Sequence, residues 1–307
     1  MILCIGTTPT MQRTMIFDQV RIDDVNRAKE VFEYASGKSI NVARVVKELG
    51  EKAAVAGFAG RDRGNSLRED LRGLDIQDWM IESGARTRLC TTVIDRFAGT
   101  ATELIEESGA VEQEAWDALE NLLRERAGEA RVVLCTGSLA PGGPADFYAR
   151  RVEQKVAEQT IILDGRGEVI RLALRYPAFI LKINREELAA TMEEVIDSDE
   201  RLYDVARRTC PREGALIVTL GKAGALLCQN DSLWRIRIPA VPVVSAIGSG
   251  DAFAAGLAVG IAKGESLINA CRLGAACGCA NAMTARAGEV HRGDVQQLLS
   301  QIEIEPL

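Results

Sequence analysis

Short apolar runs ending in Gly, Thr, Ser or Asn alternate along this chain with stretches whose hydrophobic residues recur at helical spacing. That alternation is the signature of a parallel sheet covered by helices on both faces. The runs Ile2–Gly6, Ala53–Phe58, Val132–Thr136, Thr160–Asp164, Phe179–Ile183 and Leu216–Leu220 predict buried strands. Between them, Ile40–Leu49, closed by Gly50, predicts an amphipathic helix, as does Glu112–Arg126 with Ala115, Leu119, Leu122 and Leu123 on one stripe. Thr14–Tyr34 and Arg88–Glu107 break the rhythm. They are rich in β-branched residues and turn signals without a helical period, which predicts antiparallel strands of a small accessory sheet. A hairpin is expected between Gly224 and Val241, turning at Gln229-Asn230-Asp231-Ser232.

No linker, low-complexity tract or repeat interrupts the chain, so one α/β domain over residues 1–307 carrying a small lid is expected. Ligands of an open parallel sheet bind beyond the carboxyl ends of its strands. The residues there are polar: Thr136-Gly137-Ser138, Asp164, Lys182 with Asn184, Thr219 with Gly221, and the segment Ser245–Asp251.

Composition narrows the function classes. With 307 residues and 47% hydrophobic content there is material for a large core. The net charge of −7, the 5% aromatic content and the scattering of Lys and Arg among acids argue against a nucleic-acid partner. Met1-Ile2-Leu3-Cys4 runs straight into a strand, and the apolar stretches Ala252–Ala262 and Ala270–Met283 are short for a bilayer. A cytoplasmic protein with no membrane association is expected. The eight cysteines form no C-x-x-C pair and read as reduced, small hydrophobes. The one histidine, His291, lies in a charged C-terminal segment and reads as a surface residue.

The chemistry centres on Gly248-Ser249-Gly250-Asp251, which opens the helix-forming run Ala252-Phe253-Ala254-Ala255-Gly256-Leu257. Two glycines let backbone N–H groups converge at a helix N-terminus, where unpaired donors and the helix dipole favour an anion such as phosphate. A simple glycine-rich turn capped by Asp has the same residues. The surrounding sequence separates the two. GSGDAFAAG resembles the G-A-G-D signature of PfkB, or ribokinase-like, carbohydrate kinases. The resemblance extends over nearly the whole chain. Ser36–Gly50 (SGKSINVARVVKELG) is similar to the family's GGKGxNVARxLxxLG, Thr136–Gly142 to its sugar-side loop, Lys182–Glu187 to its K-P-N-x-x-E, and Val218–Leu226 to its nucleotide-binding strand and turn. Thr87-Arg88 and Thr102-Glu103-Leu104 resemble the branch holding tagatose-6-phosphate kinase and 1-phosphofructokinase.

The resemblance implies a three-layer α/β/α sandwich with a mainly parallel, doubly wound sheet and a β-sheet lid. It implies ATP and Mg²⁺, with the backbone of Gly248, Ser249 and Gly250 as anion hole and Asp251 as the base. Lys182, Asn184, Thr219, Gly221 and Gly224 would line the nucleotide phosphates, and Asn281 would lie near the adenine or else bond backbone within its helix. Asn184 and Glu187 would organise Mg²⁺ through water, and the same pair reads as a capping box. Gln12, Gly37, Lys38, Asn41, Arg88 and Ser138 would contact the sugar or sugar phosphate, and paired lids would make a homodimer.

Five positions depart from the family pattern. Gln12 stands for the aspartate of N-P-A-x-D, Ser36 and Ser39 for glycines, Ile183 for a proline and Ser249 for an alanine. An amide donates as well as accepts, so Gln12 implies a substrate offering an acceptor atom at that point. Fructose 1-phosphate and tagatose 6-phosphate are the first candidate acceptors. An unphosphorylated sugar, polyol or nucleoside is the alternative, and a weakly catalytic nucleotide- and sugar-binding relative a third. The absence of G-x-G-x-x-G after the first strand disfavours a nicotinamide dehydrogenase.

Overall fold

The computed structural model describes residues 1–307. Its strands are β1 (Ile2–Ile5), β2 (Thr10–Phe17), β3 (Glu30–Ser36), β4 (Ala53–Ala59), β5 (Gln77–Glu82), β6 (Arg88–Asp95), β7 (Thr100–Ile105), β8 (Val132–Thr136), β9 (Thr160–Asp164), β10 (Ile180–Asn184), β11 (Ala215–Thr219), β12 (Ala225–Gln229), β13 (Ser232–Arg237) and β14 (Glu303–Pro306). Its helices are α1 (Lys38–Glu48), α2 (Arg61–Gly73), α3 (Gln113–Arg126), α4 (Phe147–Glu153), α5 (Glu168–Ala173), α6 (Arg185–Met192), α7 (Asp199–Thr209), α8 (Ser249–Ala262), α9 (Leu267–Ala282) and α10 (Arg292–Leu299).

Ten strands form one sheet in the order β14-β13-β12-β11-β10-β9-β8-β1-β4-β5, parallel from β11 through β5 and antiparallel at the β12–β14 end. Alternate residues of each strand face opposite layers. Ile2 and Cys4 of β1 join a core with α1, α2 and α8–α10, whereas Leu3 and Ile5 join a second core with α3–α7. Burial on both faces is why the central strands read as unbroken apolar runs. The runs expected as strands all form strands. The two strands without such a run, β5 and β14, lie at the sheet edges, where most of the residues stay in contact with water. The hairpin turns at Asn230 (φ 50°) and Asp231 (φ 62°), and the two positive φ values match the twist of its strands. His291 is exposed, immediately before α10. No helix is long and apolar enough to cross a membrane, and the two apolar stretches are α8 and α9, buried against each other.

The accessory sheet has the order β3-β2-β6-β7. Its outer pairs are antiparallel as expected, but β2 and β6 run parallel, from Thr10 beside Arg88 to Phe17 beside Asp95. The reason is topological. Both strands leave the main sheet from its carboxyl edge, β2 after β1 and β6 after β5, so they set out in the same direction.

Candidate active site

Two helix N-termini meet at the carboxyl end of the main sheet. Helix α8 begins after Gly248, whose φ is 85° and whose added Cβ would lie 2.7 Å from the Gly288 nitrogen. Only glycine fits both the conformation and the space. Gly250 lacks a positive φ, so the conformational strain of the motif lies at Gly248. A Cβ on Gly250 would instead stand 2.9 Å from the Lys182 Nζ, so this glycine makes room for an ammonium group. The Ser249 N–H donates to the Ala246 carbonyl at 3.1 Å, whereas the N–H groups of Gly248, Gly250 and Asp251 donate to no backbone carbonyl. Unpaired donors and the positive end of α8 thus face one point.

Asp251 lies in the first turn of α8 and is buried. Its Oδ2 accepts from Asn41 Nδ2 at 2.8 Å, and Asn41 Oδ1 accepts from Ser36 Oγ at 2.8 Å. Burial pushes the Asp251 carboxyl up to about 6, against the opposing pull of Lys38. Ser36 is therefore not just extra bulk in a glycine position. It orients the amide that holds the carboxylate.

Asp164, at the end of β9, is fully buried. Lys182 Nζ donates to its Oδ2 at 3.2 Å, and Lys38 Nζ lies 3.8 Å from its Oδ1 and 3.8 Å from Glu187 Oε1. Burial raises the carboxyl of Asp164, and Lys182 with Lys38 outweighs that, leaving it below its ordinary value. The same contact with Asp164 raises the Lys38 ammonium. Sequence reasoning had placed Asp164 at a strand end without a role, and the signal available was an acid closing an apolar run beside a strand that ends in lysine.

Asn184 and Glu187 form a complete capping box at the start of α6: the Glu187 N–H donates to Asn184 Oδ1 at 2.8 Å, and the Asn184 N–H to Glu187 Oε2 at 3.2 Å. Glu187 Oε1 stays outside that box, and Asp164 Oδ1 is buried without a hydrogen-bond donor. Two carboxylate oxygens around one ammonium suit a hard divalent cation. No group of three or more His, Cys, Asp or Glu side chains forms a cage, and Mg²⁺, which keeps most of its water, needs none.

Thr219 ends β11, and Gly221 (φ 56°) and Gly224 (φ 85°) shape the turn beyond it. Asn281 is fully buried. Its Nδ2 donates to the Ile247 carbonyl at 2.9 Å and to Ser249 Oγ at 3.3 Å, and its Oδ1 accepts from the Gly288 N–H at 2.8 Å. Of the two roles open to it, backbone bonding is the one seen, and it ties the turn before α8 to the 284–288 loop.

Gly37 (φ 101°) joins β3 to α1 and so delivers Lys38 and Asn41 from the lid to the sheet. Ser138 is exposed, its carbonyl accepting from Thr7 and Thr8 hydroxyls. Arg88, at the first residue of β6, donates to the Thr8 carbonyl at 3.0 Å and the Glu106 carbonyl at 3.3 Å. Gln12 is buried on β2, and its Nε2 donates to Thr92 Oγ1 at 2.9 Å. One of the two amide hydrogens that implied an acceptor atom on the substrate is thus already engaged within the lid, leaving the second and the Gln12 carbonyl oxygen, which accepts as a carboxylate would.

A family model described as pfkB family carbohydrate kinase matches residues 1–290. The chain belongs to that family. It is a kinase of the sugar or sugar-phosphate class, a phosphotransferase with an alcohol group as acceptor. A putative phosphofructokinase from Staphylococcus aureus is 27% identical, with a TM-score of 0.82 over 100% of this chain and 99% of that one. Phosphofructokinase-2 from Escherichia coli, in complex with potassium, is 22% identical with a TM-score of 0.89 over 98% of each chain. A possible 1-phosphofructokinase from Thermotoga maritima is 17% identical with a TM-score of 0.91, covering 100% of this chain and 99% of that one. The latter two establish the ribokinase-like fold of this PfkB kinase.

Proposed function

We propose that this PfkB kinase transfers the γ-phosphoryl group of ATP to a hydroxyl of a ketohexose phosphate of the fructose 1-phosphate or tagatose 6-phosphate class. The observation that carries the reading is the buried Asp251 carboxyl, raised to about 6, set in the first turn of a helix where the N–H groups of Gly248, Gly250 and Asp251 have no backbone partner. A phosphoryl group held by Gly248, Ser249 and Gly250 would face that carboxylate. The loose transition state of phosphoryl transfer needs charge stabilisation and alignment more than covalent help. Asp251 would take the acceptor proton late, as the oxygen bonds to phosphorus, and its raised value brings it nearer the working pH than an ordinary carboxylate. Asn41, itself held by Ser36, would fix which oxygen faces the acceptor.

Lys182 beside Gly250, with Thr219, Gly221 and Gly224, would bind the nucleotide phosphates. Glu187 and Asn184, with the undonated Asp164 oxygen alongside, would hold Mg²⁺ through water; the ion supplies charge neutralisation on the nucleotide phosphates. Lys38, Arg88, Gly37, Gln12 and Ser138 would form the acceptor side. The lid carries most of the large exposed apolar side chains, among them Ile22, Val25, Val31, Phe97, Leu104 and Ile105. A second lid is the occupant we assign to that face, since a four-stranded sheet with free edges has a physical motive to pair.

One observation favours a second reading: Arg88 is already bonded to two carbonyls, and an acceptor without a phosphate would leave it so. The deciding experiment is ADP release measured across ketohexose phosphates, free sugars, polyols and nucleosides. Turnover confined to ketohexose phosphates supports the first reading, turnover confined to unphosphorylated acceptors the second, and ATP binding without turnover overturns both.

A further inference from the structure

A cavity of about 830 Å³ opens at the amino ends of β10 and β11, the opposite end of the sheet from Lys182 and Thr219. Four guanidinium groups line it, Arg175, Arg207, Arg208 and Arg212, against one carboxylate, Asp231. Only Arg208 among them is paired with carboxylates, those of Glu194 and Asp204. Cys210 is part of the same wall, at the end of α7, and it alone of the eight cysteines is not buried. Its Sγ lies 3.2 Å from the Cys228 carbonyl oxygen on β12. Cys228 points into the core layer that α7 covers, so both sulfurs occupy the same side of the sheet.

The geometry points to Cys210, reachable from solvent, and Cys228, buried behind it, as a dithiol pair that a small anionic disulfide oxidises to an intramolecular disulfide. Reactive cysteines occur in partly exposed, electropositive surroundings beside a second thiol, and Cys210 has all three features. The neighbouring Cys228 side chain lowers the Cys210 thiol, and the same contact, with burial behind it, raises Cys228. Arg207 favours and Asp231 opposes the charged form of Cys228. The attacking and resolving partners are thereby distinguished.

In the first step the Cys210 thiolate attacks one sulfur of the reagent, whose S–S bond breaks and releases one thiolate. That thiolate takes the proton of Cys228. The Cys228 sulfur then attacks Cys210 and expels the second thiolate, which takes up the proton that Cys210 lost on ionising. Two protein thiols are oxidised and one disulfide is reduced to two thiols.

The test uses the full reduced chain and oxidised glutathione, followed by acid quenching, alkylation in denaturant and peptide mapping by mass spectrometry. The expected product is a peptide pair joining Cys210 to Cys228, with the other six cysteines alkylated. Cys228→Ser should accumulate glutathione on Cys210, and Cys210→Ser should leave Cys228 unreacted. Removing charge with Arg207→Gln and Arg212→Gln together should slow the first step about tenfold. A wild-type chain whose Cys210 stays reduced, or stops at the mixed disulfide, overturns the assignment, and this readout needs no variant to fold.

Discussion

Asp164 and Asp251 are both buried carboxylates at the same end of the same sheet, yet their surroundings drive them in opposite directions. Asp164 has Lys182 at 3.2 Å and Lys38 at 3.8 Å, and it is held below its ordinary value although burial works against this. Asp251 receives its hydrogen bond from a neutral amide, that of Asn41, and burial takes it up to about 6. Desolvation is common to both, so the difference lies in how close the ammonium groups come. One carboxylate is built to remain charged and to anchor cations. The other is kept close to its proton, which suits the role of base proposed for it.

The sharpest way to break this contrast is to neutralise each acid. Asp251→Asn should lower kcat by ~10²–10⁴-fold with ATP binding nearly intact, because the amide keeps the shape and cannot accept the proton. Retention of more than about a third of wild-type kcat removes Asp251 from the role of base. The same variant should melt at a higher temperature. A group whose folded value exceeds its unfolded one is destabilising while ionised, here by about 3 kcal/mol above pH 6. That penalty fades as pH falls toward the unfolded value.

Asp164→Asn should do the opposite to stability and cost about 3 kcal/mol, since it leaves Lys182 buried without its counter-charge. A chemical denaturation midpoint equal to wild type would show that Lys182 has another anchor. The depressed Asp164 stabilises the fold above its unfolded value, and this contribution is lost only on further acidification.

The pH profile sharpens the comparison without mutation. In the free enzyme kcat/KM should fall about tenfold per pH unit below an apparent value near 6, as Asp251 gains its proton. A profile flat down to pH 5 would mean that the titrating group is not Asp251. The smallest effect is expected for Ser36→Gly. Loss of one hydrogen bond worth ~1 kcal/mol should slow turnover about fivefold. It should also move the acid limb upward, because a looser Asn41 stabilises the charged carboxylate less. Unchanged rate and limb would mean that Asn41 is oriented without Ser36.

Much of this was legible in the sequence, and the exceptions have physical causes. The central strands and the Asn230-Asp231 hairpin were readable because they depend on local burial pattern and backbone preference. The edge strands β5 and β14 were not, since exposure of one side dilutes the apolar run. The parallel pairing of β2 with β6 was hidden because two helices and two strands of the main sheet lie between them in the chain. In the site, Gly248 and Asp251 were identifiable from their motif, but the hydrogen bond that engages Gln12 with Thr92 crosses 80 residues.

By itself the sequence determined the layers of the sandwich, the helix start at Gly248 and the polar set beyond the strand ends, because each rests on neighbours a few residues apart. Tertiary structure alone decided what those polar groups do. The bond between Asn41 and Asp251 spans 210 residues, and Asp164 meets Lys38 only after β3, α1 and β9 have been packed together. A carboxylate's proton affinity is set by the water it loses and the charges it gains. Both are supplied by segments far away in the chain, so no local pattern encodes them.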